Sequence, residues 1–299
     1  MAEQSRTFRP ASEVAVIALV IYILLGAPGL SSSSTSPARD HEARDTSDHN
    51  SATKIEHLVY PSKDLACPRH EYVSHIFSTT PLVVYVDGFL ADYEVDHLID
   101  LSSEKWSVST IFNGGLETTD PTIRRSEKAA IERDNVVQCI EQRALAFQGW
   151  PKDTYIERLW TQRYNVSGHY SLHYDWASSS RFSRRVSSFM VYLKSECVGG
   201  GTNFPRLPRP DLESHVGQKW CEFVKCRGSG RNDHDDSAED GVTFQPREGS
   251  AVFWMNFDSE GRGYKETIHA GMPVVEGQKI GLNIWSWYQA GHRAPESGL

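Results

Sequence analysis

The chain has 299 residues, enough for one sizeable domain with a buried core after a leader and a polar stretch are set aside. Its formal net charge of -8 argues against nucleic acid as the main partner, because phosphate binding needs a basic face. Aromatics at 11% suit the broad strand faces of a β-rich fold.

Val14 to Leu25 reads VAVIALVIYILL without a polar break. A membrane span needs about 20 apolar residues, so this short run suits the apolar core of a signal peptide or a tilted signal anchor. Arg6 and Arg9 precede it, and no basic residue follows until Arg39. That bias keeps the N-terminus cytoplasmic. It sends the remainder into the endoplasmic reticulum and secretory-pathway lumen, as a type II, single-span membrane protein if the anchor is retained. Residues 1–30 are therefore predicted as signal peptide or signal anchor. Residues 31–80 are predicted as a polar stem or linker, with His41 and His49 as solvated residues. A folded domain is predicted over 81–290, with a tail at 291–299.

Within that domain Pro81–Leu90 (PLVVYVDGFL) predicts a strand and turn. Asp92–Ser107 carries Val95, Leu98, Ile99 and Leu101 at helical spacing, and Asn135–Phe147 predicts a second amphipathic helix. Strands are predicted over Leu159–Trp176, Arg185–Leu193, Val242–Pro246, Ser250–Phe257, Ile268–Val275 and Lys279–Gln289. Two helices ahead of many antiparallel strands imply an α+β, mainly β fold. The expected form is a double-stranded β-helix, or jelly-roll barrel, with flanking N-terminal helices. Arg227–Gly241 predicts an acidic surface insertion. Cys67, Cys139, Cys197, Cys221 and Cys226 are compatible with an oxidising lumen, and their odd number leaves at least one unpaired within the chain. Cys221 and Cys226 could close a small loop with each other, or Cys197 could pair with either. Asn165-Val166-Ser167 is a glycosylation sequon, expected to stay buried and unmodified because it lies beside the predicted site.

Tyr170 to Trp176 reads YSLHYDW, with His173 and Asp175 two residues apart. On a strand, residues at that spacing share a face, so an imidazole and a carboxylate can meet one metal ion. An isolated pair of this kind is more often an exposed Asp beside a half-buried His. The candidate third ligand is His269, in TIHAGMPVV. Two His and one carboxylate leave open positions for a cosubstrate and O₂, the arrangement of non-haem iron(II) oxygenases. Glu276-Gly277 is a turn signal between two apolar runs, which predicts a hairpin. Lys279 follows that turn. A lysine facing a barrel interior demands an anionic partner, which a bound dicarboxylate supplies. Taken alone, Lys279 is more commonly an exposed strand-edge residue.

These residues resemble the catalytic domain of the prolyl 4-hydroxylases, in the iron(II)/2-oxoglutarate dioxygenase superfamily. The resemblance runs from about Pro81 to Tyr288. It rests on Phe89-Leu90, RRS at Arg124 to Ser126, RYNVSGHYSLHYD, GGGTNFP, GSAVFW and HAGMPVVEGQKIGLNIW. The closing GRGYKETIHAG and LNIWSW are most similar to the fungal branch. The resemblance implies iron ligation by His173, Asp175 and His269, and pairing of Lys279 with the distal carboxylate of 2-oxoglutarate. It implies that Tyr164, Thr202 and Trp285 line or flank the cosubstrate pocket. It places Tyr170 and Arg185 against a peptide substrate, and Arg124 and Ser126 on a mobile substrate loop. The usual Arg-Thr-Ser of that loop reads Arg124-Arg125-Ser126 here, which makes the mouth more basic.

The implied activity is hydroxylation of proline in a peptide or protein, with 2-oxoglutarate decarboxylated to succinate. Iron(II), 2-oxoglutarate and O₂ are the implied cofactors and cosubstrates, with ascorbate as reductant. The same chemistry on a lysyl side chain or a small molecule is the first alternative, because a metal triad does not choose the carbon attacked. A metal-binding barrel without turnover is the second.

Overall fold

The structure is a computed structural model. It describes residues 57–62, 64–113, 116–176, 180, 182–226 and 240–292. The Val14–Leu25 run, most of the acidic insertion and the tail lie outside the described residues, among which no helix is long and apolar enough to cross a membrane.

All strand pairs are antiparallel. The larger sheet runs Val73–Thr79, Leu82–Asp87, Ala251–Met255, Ser183–Lys194, Lys279–Gln289, Trp160–Tyr164, Glu127–Ala130, Ser107–Val108. The smaller sheet runs Val242–Phe244, Thr202–Phe204, His269–Gly271, His169–His173, Arg124–Arg125. Together they form the jelly-roll barrel.

The larger sheet separates two cores. Period-two alternation sends Val84, Val86, Phe189, Val191, Phe253, Leu282 and Ile284 to one face, against Val137, Ile140, Ala144 and Leu145 of the helix Asn135–Phe147. The residues between them, Val83, Tyr85, Met190, Tyr192, Val252 and Trp254, point inward to Phe204, Val242 and Phe244 of the smaller sheet. Burial on both faces explains why these strands read as continuous apolar runs. The helix Asn135–Phe147 is capped by Asp134, whose carboxylate accepts from Val137 N at 3.0 Å. The two helices are tied by Arg143, which forks onto Glu94 at 2.7 Å with both groups nearly sealed from water.

Several elements differ from expectation. The first helix is Asp92–Ser102 and does not reach Ser107. The Ser102 and Ser103 hydroxyls donate to Leu98 O and Asp100 O, and Glu104 takes φ 40°, which ends the helical path. Leu159–Trp176 divides into Trp160–Tyr164 and His169–His173, which belong to different sheets. Gly168 permits the turn between them, since a Cβ there would lie 2.7 Å from Asn165 O. Ordered structure also begins well before Pro81, with strands at Leu58–Val59 and Val73–Thr79. The latter is poorly legible because one face is open: Val73 is 57% and Ile76 62% exposed.

The hairpin expected at Glu276-Gly277 does not form. Val274–Gly277 pairs with Cys197–Gly199, whereas Lys279–Gln289 enters the larger sheet. The turn thus carries the chain from one sheet to another. Cys221 bonds Cys226, and Cys67 bonds Cys139 across 72 residues of sequence. Cys197 is the free thiol among these five.

Candidate active site

His173 ends its strand, and His269 begins the strand that pairs with it; the two are register partners. Asp175 lies in the turn just past the strand end rather than on the strand itself. A register shift between Tyr170 and His173 lets the two rings stack at 3.7 Å although three residues separate them. The two imidazole centroids are 4.2 Å apart, and His173 Nε2 is 3.9 Å from Asp175 Oδ1. One ligand atom from each of the three residues lies within 4.8 Å of the others.

Backbone carbonyls orient both rings from behind. His173 Nδ1 meets Ser171 O at 2.8 Å, and His269 Nδ1 meets Thr267 O at 2.9 Å. A carbonyl can only accept, so Nδ1 carries the proton and Nε2 presents a lone pair. Trp285 Nε1 donates to Asp175 Oδ2 at 3.0 Å and leaves Oδ1 toward the imidazoles. Burial, then the His269 charge, lowers the pKa of His173 to about 3, so its ring is neutral at physiological pH. Burial opposes ionisation of Asp175. The charges of His269, then Arg185, then His173 outweigh it and hold the carboxyl below the usual range. Two imidazoles and an ionised carboxylate converging on one point fit a divalent transition metal.

Lys279 is 2% exposed. Its ammonium donates to Gly200 O at 2.6 Å and lies 5.2 Å from the Tyr164 ring and 5.3 Å from the Tyr192 ring. Gly200 adopts φ +69°, and a Cβ there would press on the Lys279 stem at 3.3 Å. Among the described residues no carboxylate pairs with this ammonium. Burial lowers its pKa to about 8. Thr202 Oγ1 accepts from Tyr192 OH at 2.8 Å, and both are buried. A sealed cation faced by hydroxyl-bearing side chains and lacking an anion fits one end of a dicarboxylate.

The structure therefore brings together His173, Asp175 and His269, and separately Lys279 with Tyr164. Trp285 sits against Asp175, and its ring is also 3.8 Å from the Arg185 guanidinium. Arg185, expected against substrate, is held by Glu157 through two bonds at 2.8 and 2.9 Å and donates to Asp175 O at 3.1 Å. Arg124 lies 4.6 Å over the Tyr170 ring. Arg124 is on a strand paired with His169–His173, not on a separate loop, and its Nε donates to Ser126 Oγ at 3.0 Å. Ser126 Oγ in turn donates to Ser109 Oγ at 2.8 Å. Asn165, expected to be buried, is exposed, with its side chain between Glu127 and Gln278.

Two participants escape sequence reasoning. Glu157 fixes Arg185 from the end of a strand, Thr154–Glu157, that carries no chemical motif. Tyr192 reads as one more aromatic of a buried strand until its hydroxyl is seen on Thr202.

A family model described as the 2OG-Fe(II) oxygenase superfamily matches residues 159–287, the span that holds all three clustered residues and Lys279. Residues 159–287 thus form a 2OG-Fe(II) oxygenase domain. The chain is a 2-oxoglutarate-dependent dioxygenase, whose chemistry uses Fe(II), 2-oxoglutarate and O₂. The oxygenase is 28% identical over 217 residues to prolyl 4-hydroxylase 2 of Arabidopsis thaliana, covering 70% of this chain and 68% of that protein. It is 28% identical over 219 residues to prolyl 4-hydroxylase 13 of the same plant, covering 71% and 73%. Among solved structures, the viral collagen prolyl hydroxylase of Paramecium Bursaria Chlorella virus-1 in its 2OG complex aligns at 26% identity and TM-score 0.48, covering 69% of this chain and 95% of that one.

Proposed function

We propose that this oxygenase hydroxylates proline residues of a peptide or protein, with ascorbate as reductant. The observation that carries the reading is the extent of the similarity: relatives named prolyl 4-hydroxylases align across about 70% of this chain and about two thirds or more of their own length. Iron(II) held by His173, Asp175 and His269 would supply C–H oxidation coupled to decarboxylation of 2-oxoglutarate to succinate.

The chain's own residues do the rest. Lys279 neutralises the distal carboxylate of the cosubstrate, and Thr202 and Tyr164 bound the same pocket. Trp285 and Arg185 hold Asp175 in place. Tyr170, stacked on His173 and half-buried, offers an aromatic wall at the open side, where a pyrrolidine ring packs well. A secretory-pathway lumen is part of this proposal. It is supported by the disulfides Cys67–Cys139 and Cys221–Cys226, which persist in an oxidising compartment, and by the apolar Val14–Leu25 run.

The test is succinate release by the purified protein with iron(II), ascorbate and 2-oxoglutarate, with and without proline-rich peptides, followed by peptide mass analysis. Peptide-stimulated succinate with one added oxygen on proline is the expected result. Succinate with no oxidised proline in any peptide would sink the substrate assignment and leave the dioxygenase.

A further inference from the structure

A cleft of about 570 Å³ opens where the chain twice leaves one sheet for the other. The first crossing is at Ser126, between Arg124–Arg125 of the smaller sheet and Glu127–Ala130 of the larger. The second is the exposed turn Asn165–Gly168, between Trp160–Tyr164 and His169–His173. The cleft lies between these two crossings. Arg124, Arg125, Arg163 and Glu127 line the cleft, with the exposed side chains of Val108 and Val166 beside them.

The charges there do not cancel. Arg163 is satisfied by Glu127 at 2.8 Å. Arg124 donates to Ser126 Oγ and Thr110 O, both neutral, and Arg125 is exposed. Among the described residues neither Arg124 nor Arg125 has an ion pair. Two guanidiniums without a carboxylate, in a chain of formal net charge -8, form a local site for an anion. The cleft also leads to the metal-facing residues: Arg124 covers Tyr170, and Tyr170 stacks on His173.

We infer that the peptide substrate carries an acidic side chain near the reacting residue, and that Arg125 in this cleft reads it. The inference rests on the proposed peptide hydroxylase reading and narrows its substrate class. Register fixes the spacing. Arg125 is the partner of His169, four residues before His173 (173 − 169), so the cleft lies about 13 Å along the strand from the metal-facing end. An extended peptide spans that distance in about four residues. The apolar rim at Val108 and Val166 packs against the stem of such a segment, and the arginine fork donates two N–H bonds to its carboxylate.

The test uses the full chain and one proline-containing peptide, with Glu walked through five positions on each side of the proline and Gln walked in parallel. Both kcat/KM and peptide Kd, the latter by fluorescence anisotropy, are measured at low and high salt. A Glu about four residues from proline should raise kcat/KM and tighten Kd about ten-fold over Gln at low salt, and the gain should shrink as salt screens it. Arg125→Thr should bring the Glu/Gln ratio to one. Arg125→Glu should invert it in favour of Gln at the same position, a readout that mere unfolding would not give. A Glu/Gln ratio near one at every position, with the peptides still hydroxylated, would overturn the inference while the proposed activity stands. If no peptide is hydroxylated, the Kd ratio still decides: a ratio of one sinks the inference too, and an Arg125-dependent preference for Glu upholds the cleft as an acidic-peptide site.

Discussion

The two ends of the barrel interior are built on opposite plans. Around His173, Asp175 and His269, each group is held from behind by a protein partner: Ser171 O, Thr267 O and Trp285 Nε1. Around Lys279, among the described residues, the ammonium has one carbonyl, two aromatic rings and no carboxylate. The first end is arranged before anything binds, because a metal site fails if its ligands must be gathered. The second is left electrically incomplete, which disfavours every occupant except an anion of the right length. The difference shows how one interior can be rigid toward a metal and selective toward a cosubstrate.

The strongest way to break this contrast is to remove a ligand. His173→Ala, Asp175→Ala or His269→Ala should each lower peptide-stimulated succinate release by about a thousand-fold or more, since groups that act as a unit fail together. Wild-type turnover in all three variants would remove the site assignment. At the other end, Lys279→Ala should raise the KM for 2-oxoglutarate by roughly 10- to 100-fold, the scale of one lost charge-assisted bond, with a smaller effect on kcat. Equal losses in kcat and no change in KM would show that Lys279 is not the carboxylate partner.

The support behind the first end can be weakened without touching a ligand. Trp285→Phe keeps the aromatic volume but frees Asp175 Oδ2, and Glu157→Gln loosens the fork that holds Arg185. Each should cut iron affinity by about ten-fold, measured by metal titration, while cosubstrate affinity in the loaded protein changes less.

The smallest effect is a pH dependence confined to the Lys279 end. The pKa of Lys279 in the fold is about 8, below the ordinary lysine value of 10.5, so the folded chain gives up this proton first as pH rises. Below pH 8 the buried charge is carried in both folded and unfolded states, and the fold bears its full desolvation cost. Between about 8 and 10.5 that cost is relieved and this group's contribution to stability rises with pH. Cosubstrate binding should run the other way, with KM for 2-oxoglutarate increasing above pH 8 by at most about ten-fold per unit. The variant Lys279→Ala should lose that dependence. A flat KM between pH 7 and 9.5 in the wild-type protein would argue against a neutralisable lysine in the pocket.

The site was more legible than its scaffold. His173, Asp175, His269 and Lys279 carry chemistry in their residue types, and a short spacing plus a distal partner were enough to group them. The reason offered for the first pair was only half right: Asp175 reaches the metal point from a turn, not along a strand face. Arg185 and Trp285 were placed near the site, but their partners were not, because Glu157, 28 residues earlier, reaches Arg185 from a strand paired with a different segment (185 − 157). The exposed strand Val73–Thr79 carries no legible pattern because it lacks a buried face.

By itself the sequence determined which segments are helices and strands wherever apolar periodicity is strong, as in Asn135–Phe147 and Lys279–Gln289, whose predicted ends match. It also determined the mainly β barrel class and which residue types could hold a metal. Local pattern reports which residues need burial and which can hold a metal, and both are properties of residue type. Only the tertiary structure decided which strands are neighbours, that Glu276-Gly277 is a crossing rather than a hairpin, that Cys67 meets Cys139, and that Lys279 is buried against Gly200 O. Those outcomes depend on contacts between residues far apart in sequence. No local period encodes such contacts, and they are fixed only when the whole core packs.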